Sequence, residues 1–127
     1  MYFTDPTKHR SVMNSMATFS ELPEFTRELK KLSRKYQTLI DDIEDIKPIL
    51  LSTPEGISKN FTLLNSSPNV KIIKVRIHCE SLRTRTIRMI YAYHKDKIEF
   101  MYIEVYFKGD KENEDHERIQ EYLKRFK

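Results

Sequence analysis

Hydrophobic and polar positions alternate through three runs in the second half of the chain and recur at helical spacing in three other segments. In "VKIIKVRIHC", residues 70–79, Ile73, Val75, Ile77 and Cys79 fall on one side and Lys74, Arg76 and His78 on the other. The runs "TRTIRMIYAYH", 84–94, and "IEFMYIEVYFK", 98–108, divide in the same way. A period of two is that of a strand whose side chains point alternately to the two faces of a sheet. The connections "ESLR" and "KDK" are short enough to predict antiparallel hairpins, and so a three-stranded meander.

Upstream, "ATFSEL" predicts a short strand, and Pro23 suits the first turn of a helix. "PEFTRELKKLSRKY" places Phe25, Leu29, Leu32 and Tyr36 along one stripe, with Arg27, Lys30, Lys31, Arg34 and Lys35 around the rest. A second helical pattern, "TLIDDIEDIKPILLS", carries Leu39, Ile40, Ile43, Ile46 and Leu50, with Pro48 marking a kink or an early end. "EDHERIQEYLKRF" sets Ile119, Tyr122, Leu123 and Phe126 at helical spacing. The turn residues of 52–69 predict a long connection between the helical and strand-rich halves, and residues 1–16, which hold no sustained period, predict a flexible N-terminal extension. The expected fold is α+β over 17–127: an N-terminal strand, two helices, an antiparallel three-stranded meander and a C-terminal helix.

Parity then divides the meander into two faces. The core face is expected to carry Ile73, Val75, Ile77 and Cys79, then Ile87, Met89, Tyr91 and Tyr93, then Met101, Ile103, Val105 and Phe107. The opposite face reads Lys74, Arg76 and His78, then Thr84, Thr86 and Arg88, then Tyr102, Glu104, Tyr106 and Lys108. Polar-out alternation is what a solvated sheet face also shows. Here the cations outnumber the acids and two phenols accompany them, which is the composition of a surface that binds phosphates and stacks bases.

Composition narrows the classes. At 127 residues the chain suits one domain, and its net charge of +4 favours an anionic partner without specifying one. No apolar run is long enough for a transmembrane helix, and no secretory leader precedes the first helix, so a cytoplasmic protein with no membrane partner is expected. The single cysteine excludes an intrachain disulfide and a multi-thiolate metal site. No spacing matches a zinc or calcium pattern, so no metal or cofactor is expected. The acidic cluster "DKENEDHE", 110–117, is accounted for by the dipole of the helix that follows it.

The order of elements, with the segments "FTRELKKLSRKYQTLIDDI", "VKIIKVRI", "TIRMIYAY" and "YIEVYFKGDKEN", resembles the RelE/ParE superfamily of bacterial type II toxin-antitoxin toxins over residues 17–126. The resemblance implies a RelE-like fold and an endoribonuclease that cuts messenger RNA, often on the ribosome, inhibits translation and is silenced by a cognate antitoxin. It places Arg76 and Arg88 near the scissile phosphate and Tyr106 and Lys108 beside them. "SLRTRTIR" departs from the family, since Thr84 and Thr86 stand where glycines are frequent.

Metal-independent cleavage of RNA needs a base for the 2′-hydroxyl proton, an acid for the 5′-oxygen and positive charge on the transition state. Arg76 and Arg88 are the expected source of charge. His78 or Glu104 is the candidate base, and Tyr106 or Lys108 the candidate acid if neighbouring cations lower its pKa. Lys74, Tyr102 and the basic residues of the first helix (Arg27, Lys30, Lys31, Arg34 and Lys35) are the candidate RNA contacts. Two other functions fit the same resemblance: a ParE-like inhibitor of DNA gyrase with no enzymatic activity, and a catalytically inactive, protein-binding member of the fold. The antitoxin is expected to be short and acidic, wrapping the basic surface.

Overall fold

The computed structural model describes residues 17–56 and 58–126, so the extension expected over 1–16 lies outside the described residues. A five-stranded sheet in the order β1-β5-β4-β3-β2 organises the chain. The strands are β1 (Thr18–Glu21), β2 (Phe61–Ser66), β3 (Val70–Cys79), β4 (Thr84–His94) and β5 (Glu99–Phe107). β1 runs parallel to β5, and every other pairing is antiparallel. The predicted meander is present, joined by tight turns that place Arg83 (φ 55°) and Ile98 (φ 52°) in the left-handed region. Thr84 and Thr86 lie in the extended strand with their hydroxyls 2.7 Å apart. The turn takes its positive φ at Arg83, so neither threonine has to act as a glycine.

Helices α1 (Pro23–Lys35), α2 (Leu39–Asp45) and α3 (Lys47–Ser52) cover one face of the sheet, and α4 (His116–Lys124) covers part of the other. Where a single second helix was expected, there are two short ones, because Pro48 opens α3 at its first turn. Leu39, Ile43 and Leu50 are buried as expected, whereas Ile40 is exposed. Phe25, Leu39, Ile43 and Leu50 pack on Ile73, Val75, Ile77, Ile87, Met89 and Tyr91 to form the larger core. On the second face Ile119 and Tyr122 of α4 pack on Ile72, Ile90, Ala92 and Ile103. His94, buried there, shares a hydrogen bond with the Tyr122 hydroxyl.

Two features depart from the expected layout. The stretch read as a long connection contains β2, an edge strand antiparallel to β3 whose register shifts between Leu63 and Asn65. That bulge interrupts the alternation that would have marked the segment as a strand. In β5, Ile90 opposes Glu104 while its neighbour Tyr91 opposes Tyr102, so Ile103 is an extra residue. One inserted residue reverses parity on either side of it. Val105 and Phe107 keep the expected core face, now shared with Phe100 and Tyr102, while Met101 and Ile103 pass beneath α4. No described helix is long and apolar enough to cross a membrane.

Candidate active site

α4 shields only one end of the second face. At the other end Arg76, Arg88 and Tyr106 form a single row across three strands, Arg76 opposite Arg88 and Arg88 opposite Tyr106. They line a cavity of about 200 Å³ together with Lys74, Lys108, Asn60, Thr62, Glu112 and Asn113. Like charges placed directly opposite each other destabilise a sheet. Among the described residues no carboxylate forms an ion pair with Arg76, Arg88 or Lys108. An uncompensated cationic row inside a concave, polar-lined depression has the chemistry to hold a phosphate and to stabilise charge developing on it.

Arg88 is buried, and its guanidinium donates to the backbone carbonyls of Arg85 and Ile87. Burial, and then the charge of Arg76, push its pKa below the ordinary arginine value, against a smaller opposite effect from Tyr106. Tyr106 is a candidate acid on the condition that neighbouring cations lower its pKa. Instead burial, followed by the carboxylates Glu114 and Glu104, pushes the phenol up to about 12, and Arg88 offsets this only in part. The phenol therefore stays protonated at neutral pH. Lys111 lies over its ring, with Nζ 5.2 Å from the centroid.

The other expected site residues are distributed as follows. Lys74 lines the cavity, but its ammonium is paired with Glu114 at 2.9 Å. Burial would raise the Glu114 carboxyl; the hydrogen bonds from Lys74 and the backbone and the charges of Lys74 and His116 outweigh it and hold the pKa below the ordinary value. His78 is exposed, pairs with Glu80 at 3.1 Å and does not line the cavity. Glu104 is fully buried; one carboxylate oxygen accepts the Asp115 backbone N–H at 2.8 Å and the other meets Lys111. Its carboxylate faces the 108–115 segment rather than the cavity, which does not fit the role of base. Tyr102 is buried in the core on the opposite face, carried there by the bulge at Ile103, so it cannot stack on a base.

The α1 cations Arg27, Lys30, Lys31, Arg34 and Lys35 are all exposed. Lys31 and Lys35 border a second depression, of about 250 Å³, that Tyr106 also lines, so Tyr106 stands between the two cavities. Four residues of the first cavity escaped the sequence reading. Thr62 lies in the unrecognised strand β2 and Asn60 beside it, and Glu112 and Asn113 belong to the 110–117 cluster credited to the α4 dipole. Among the described residues no group of three or more His, Cys, Asp or Glu side chains is placed to hold a metal ion.

No family model and no curated protein matches the chain. Solved structures do. The RelE-RelB complex of the archaeon Pyrococcus horikoshii OT3 aligns with a TM-score of 0.57 at 12% identity, covering 76% of this chain and 99% of that one. A double arginine-to-alanine mutant of the E. coli toxin RelE in its free state aligns with a TM-score of 0.54 at 19% identity, covering 88% of this chain and 99% of that one. The chain thus has the α+β fold of RelE toxin structures, with β2 and the split second helix as elaborations of the expected plan.

Proposed function

We propose that this protein is the toxin of a type II toxin-antitoxin system, a metal-independent endoribonuclease that cleaves messenger RNA and so inhibits translation. The reading is supported above all by the Arg76–Arg88–Tyr106 row, whose arginines form no ion pair with a carboxylate among the described residues and which is set in a cavity on a RelE-like fold. In this reading the scissile phosphate sits over the row. Arg76 and Arg88 neutralise charge that grows on its oxygens as the 2′-oxygen attacks. Tyr106, whose proton is held by burial, donates to the departing 5′-oxygen, with Lys108 at the same rim for the flanking phosphate. The α1 cations continue the basic surface beyond Tyr106 and suit the path of the RNA or the ribosomal surface. A cognate antitoxin is the natural partner, since one of the similar structures is a RelE-RelB complex.

The test is induced expression in bacteria of the wild type beside an Arg76→Ala/Arg88→Ala variant, following growth and mapping messenger RNA ends. Growth arrest with new ends, both lost in the variant, is the expected result. Arrest with intact RNA would replace this reading with gyrase inhibition, and an absence of arrest would replace it with an inactive binding protein.

A further inference from the structure

The cavity over the arginine row contains one carboxylate, that of Glu112, and the backbone on both sides of it is fastened down. Lys111, the preceding residue, pairs with the buried Glu104 carboxylate of β5. Two residues further on, Glu114 is itself buried and receives the Lys74 ammonium of β3 at 2.9 Å. Asp115 is then tied through its backbone N–H to Glu104 at 2.8 Å, while its side chain caps α4 by accepting the Arg118 N–H at 3.0 Å. Glu112 is therefore suspended between ties to two different strands, at the wall of the cavity that the arginines floor. A carboxylate merely complementing the α4 dipole needs neither these ties nor this position.

The other lining groups are less suited to take a proton at neutral pH. Lysine and arginine are ordinarily protonated there and then act only as donors, the amides and the threonine hydroxyl are not bases, and the Tyr106 phenol retains its proton. Building on the ribonuclease reading, we propose that Glu112 is the general base of the reaction, accepting the proton of the attacking 2′-hydroxyl. As that proton moves to a Glu112 oxygen, the 2′-oxygen bonds to phosphorus and the bond from phosphorus to the 5′-oxygen breaks. The 5′-oxygen takes the phenolic proton of Tyr106. The products are a 2′,3′-cyclic phosphate and a 5′-hydroxyl, and solvent carries the proton from Glu112 back to the phenolate. Glu112, on the loop that walls the cavity, and Tyr106, at the end of the cationic row, thus both border the place where the arginines would hold the phosphate, which is what proton transfer at its two oxygens requires.

The purified protein, assayed on a defined messenger RNA free and on ribosomes, tests this with Glu112→Gln, Glu112→Asp and Arg76→Ala/Arg88→Ala. Glu112→Gln is expected to lower kcat by about 10²–10⁴-fold with KM unchanged. It should also abolish the acidic limb of the pH–rate profile, while Glu112→Asp keeps part of the rate. The titratable and charged groups around Glu112 are Lys74 and Arg76 of β3, Arg88 of β4, Tyr106 near the end of β5, Lys108 just beyond it, and Lys111 and Glu114 of its own loop. The profile is therefore compared with that of Tyr106→Phe, which should lower the rate throughout and, of the two limbs, remove only the alkaline one. A Glu112→Gln enzyme with wild-type rate and an intact acidic limb would overturn the assignment. So would a faster one, which would show Glu112 competing with phosphate for the arginines. In either case the loss of cleavage in the double arginine variant leaves the ribonuclease reading standing. A wild type that cleaves no RNA would overturn that reading, and this inference with it. Glu112 is exposed, so its two variants are expected to melt as the wild type does.

Discussion

Arg76 and Arg88 stand directly opposite each other on β3 and β4, the first exposed and the second buried. A like-charged cross-strand pair of this kind costs about 0.2–1 kcal/mol of stability. Arg76→Gln removes the repulsion and leaves no buried group behind. Its unfolding free energy in urea should therefore match or exceed that of the wild type by up to that amount, while cleavage falls by about 10²–10³-fold, the scale of a lost transition-state donor. Inorganic phosphate should raise the melting temperature of the wild type and have less effect on Arg76→Gln. A destabilised Arg76→Gln protein would show that Arg76 serves the fold.

Tyr106 opposes Arg88 one strand further along, and its role as acid depends on a proton it does not readily lose. Tyr106→Phe removes one hydroxyl from a buried ring, so RNA binding should persist while the rate at neutral pH falls by about 10²-fold or more. The linkage has a definite sign. With the folded pKa raised from 10.0 to about 12, the folded state keeps a proton that the unfolded chain has lost, so Tyr106 contributes a loss of stability as pH rises through that interval. Alkaline unfolding of Tyr106→Phe should be correspondingly shallower, and an unchanged profile would show that the phenol titrates freely.

The Lys74–Glu114 pair fastens the loop that forms one wall of the cavity. Because the folded pKa of Glu114 is depressed below 4.5, its contribution is fully present above the ordinary carboxylate range and is lost as pH falls through the folded value. Glu114→Gln should therefore flatten the acid limb of the stability curve. Lys74→Ala, which leaves the buried carboxylate without its partner, should cost about 1–3 kcal/mol at neutral pH. It should also slow cleavage through disorder of the wall. The two variants measured together from pH 3 to 8 separate loss of the pair from loss of either side chain alone.

How much of this was legible in the sequence depended on where alternation survives. β3 and β4 pair without interruption from Val70 to Ile77, so parity alone put Arg76 and Arg88 on one face, and the row follows from it. In β5 the residues around Ile103, Glu104 aside, are apolar or aromatic on both parities, and an inserted residue there leaves little trace in a strand buried on both sides; Tyr102 was misplaced for that reason. β2 was hidden by its own bulge and by the Ser, Pro and Asn residues around it, and Asn60 and Thr62 were hidden with it. Glu112 gave a signal that had an adequate other cause, since acids before a helix are stabilised by its dipole. Only the ties through Glu104 and Lys74, distant in sequence, set it apart from its acidic neighbours.

β1 pairs with β5 only as far as Tyr102, so beyond it β5 has an edge with no neighbouring strand among the described residues. Glu28 of α1 and Arg118 of α4 close that edge from opposite faces of the sheet. Glu28 accepts two hydrogen bonds from the guanidinium, at 2.9 and 2.7 Å, and a third from the Val105 backbone N–H at 3.2 Å, while Arg118 donates to the Ile103 carbonyl at 2.9 Å. The clamp thus satisfies backbone groups that would otherwise template pairing with another chain. Glu28→Ala should cost about 1–3 kcal/mol, because it strands a partly buried guanidinium and a backbone donor together. It should also make the protein associate with rising concentration in sedimentation. Glu28→Gln keeps an acceptor for Val105 and is expected to lose less stability and to remain monodisperse where Glu28→Ala does not. Equal losses in the two variants, with no association in either, would show that the ion pair and not the covered edge is what Glu28 contributes.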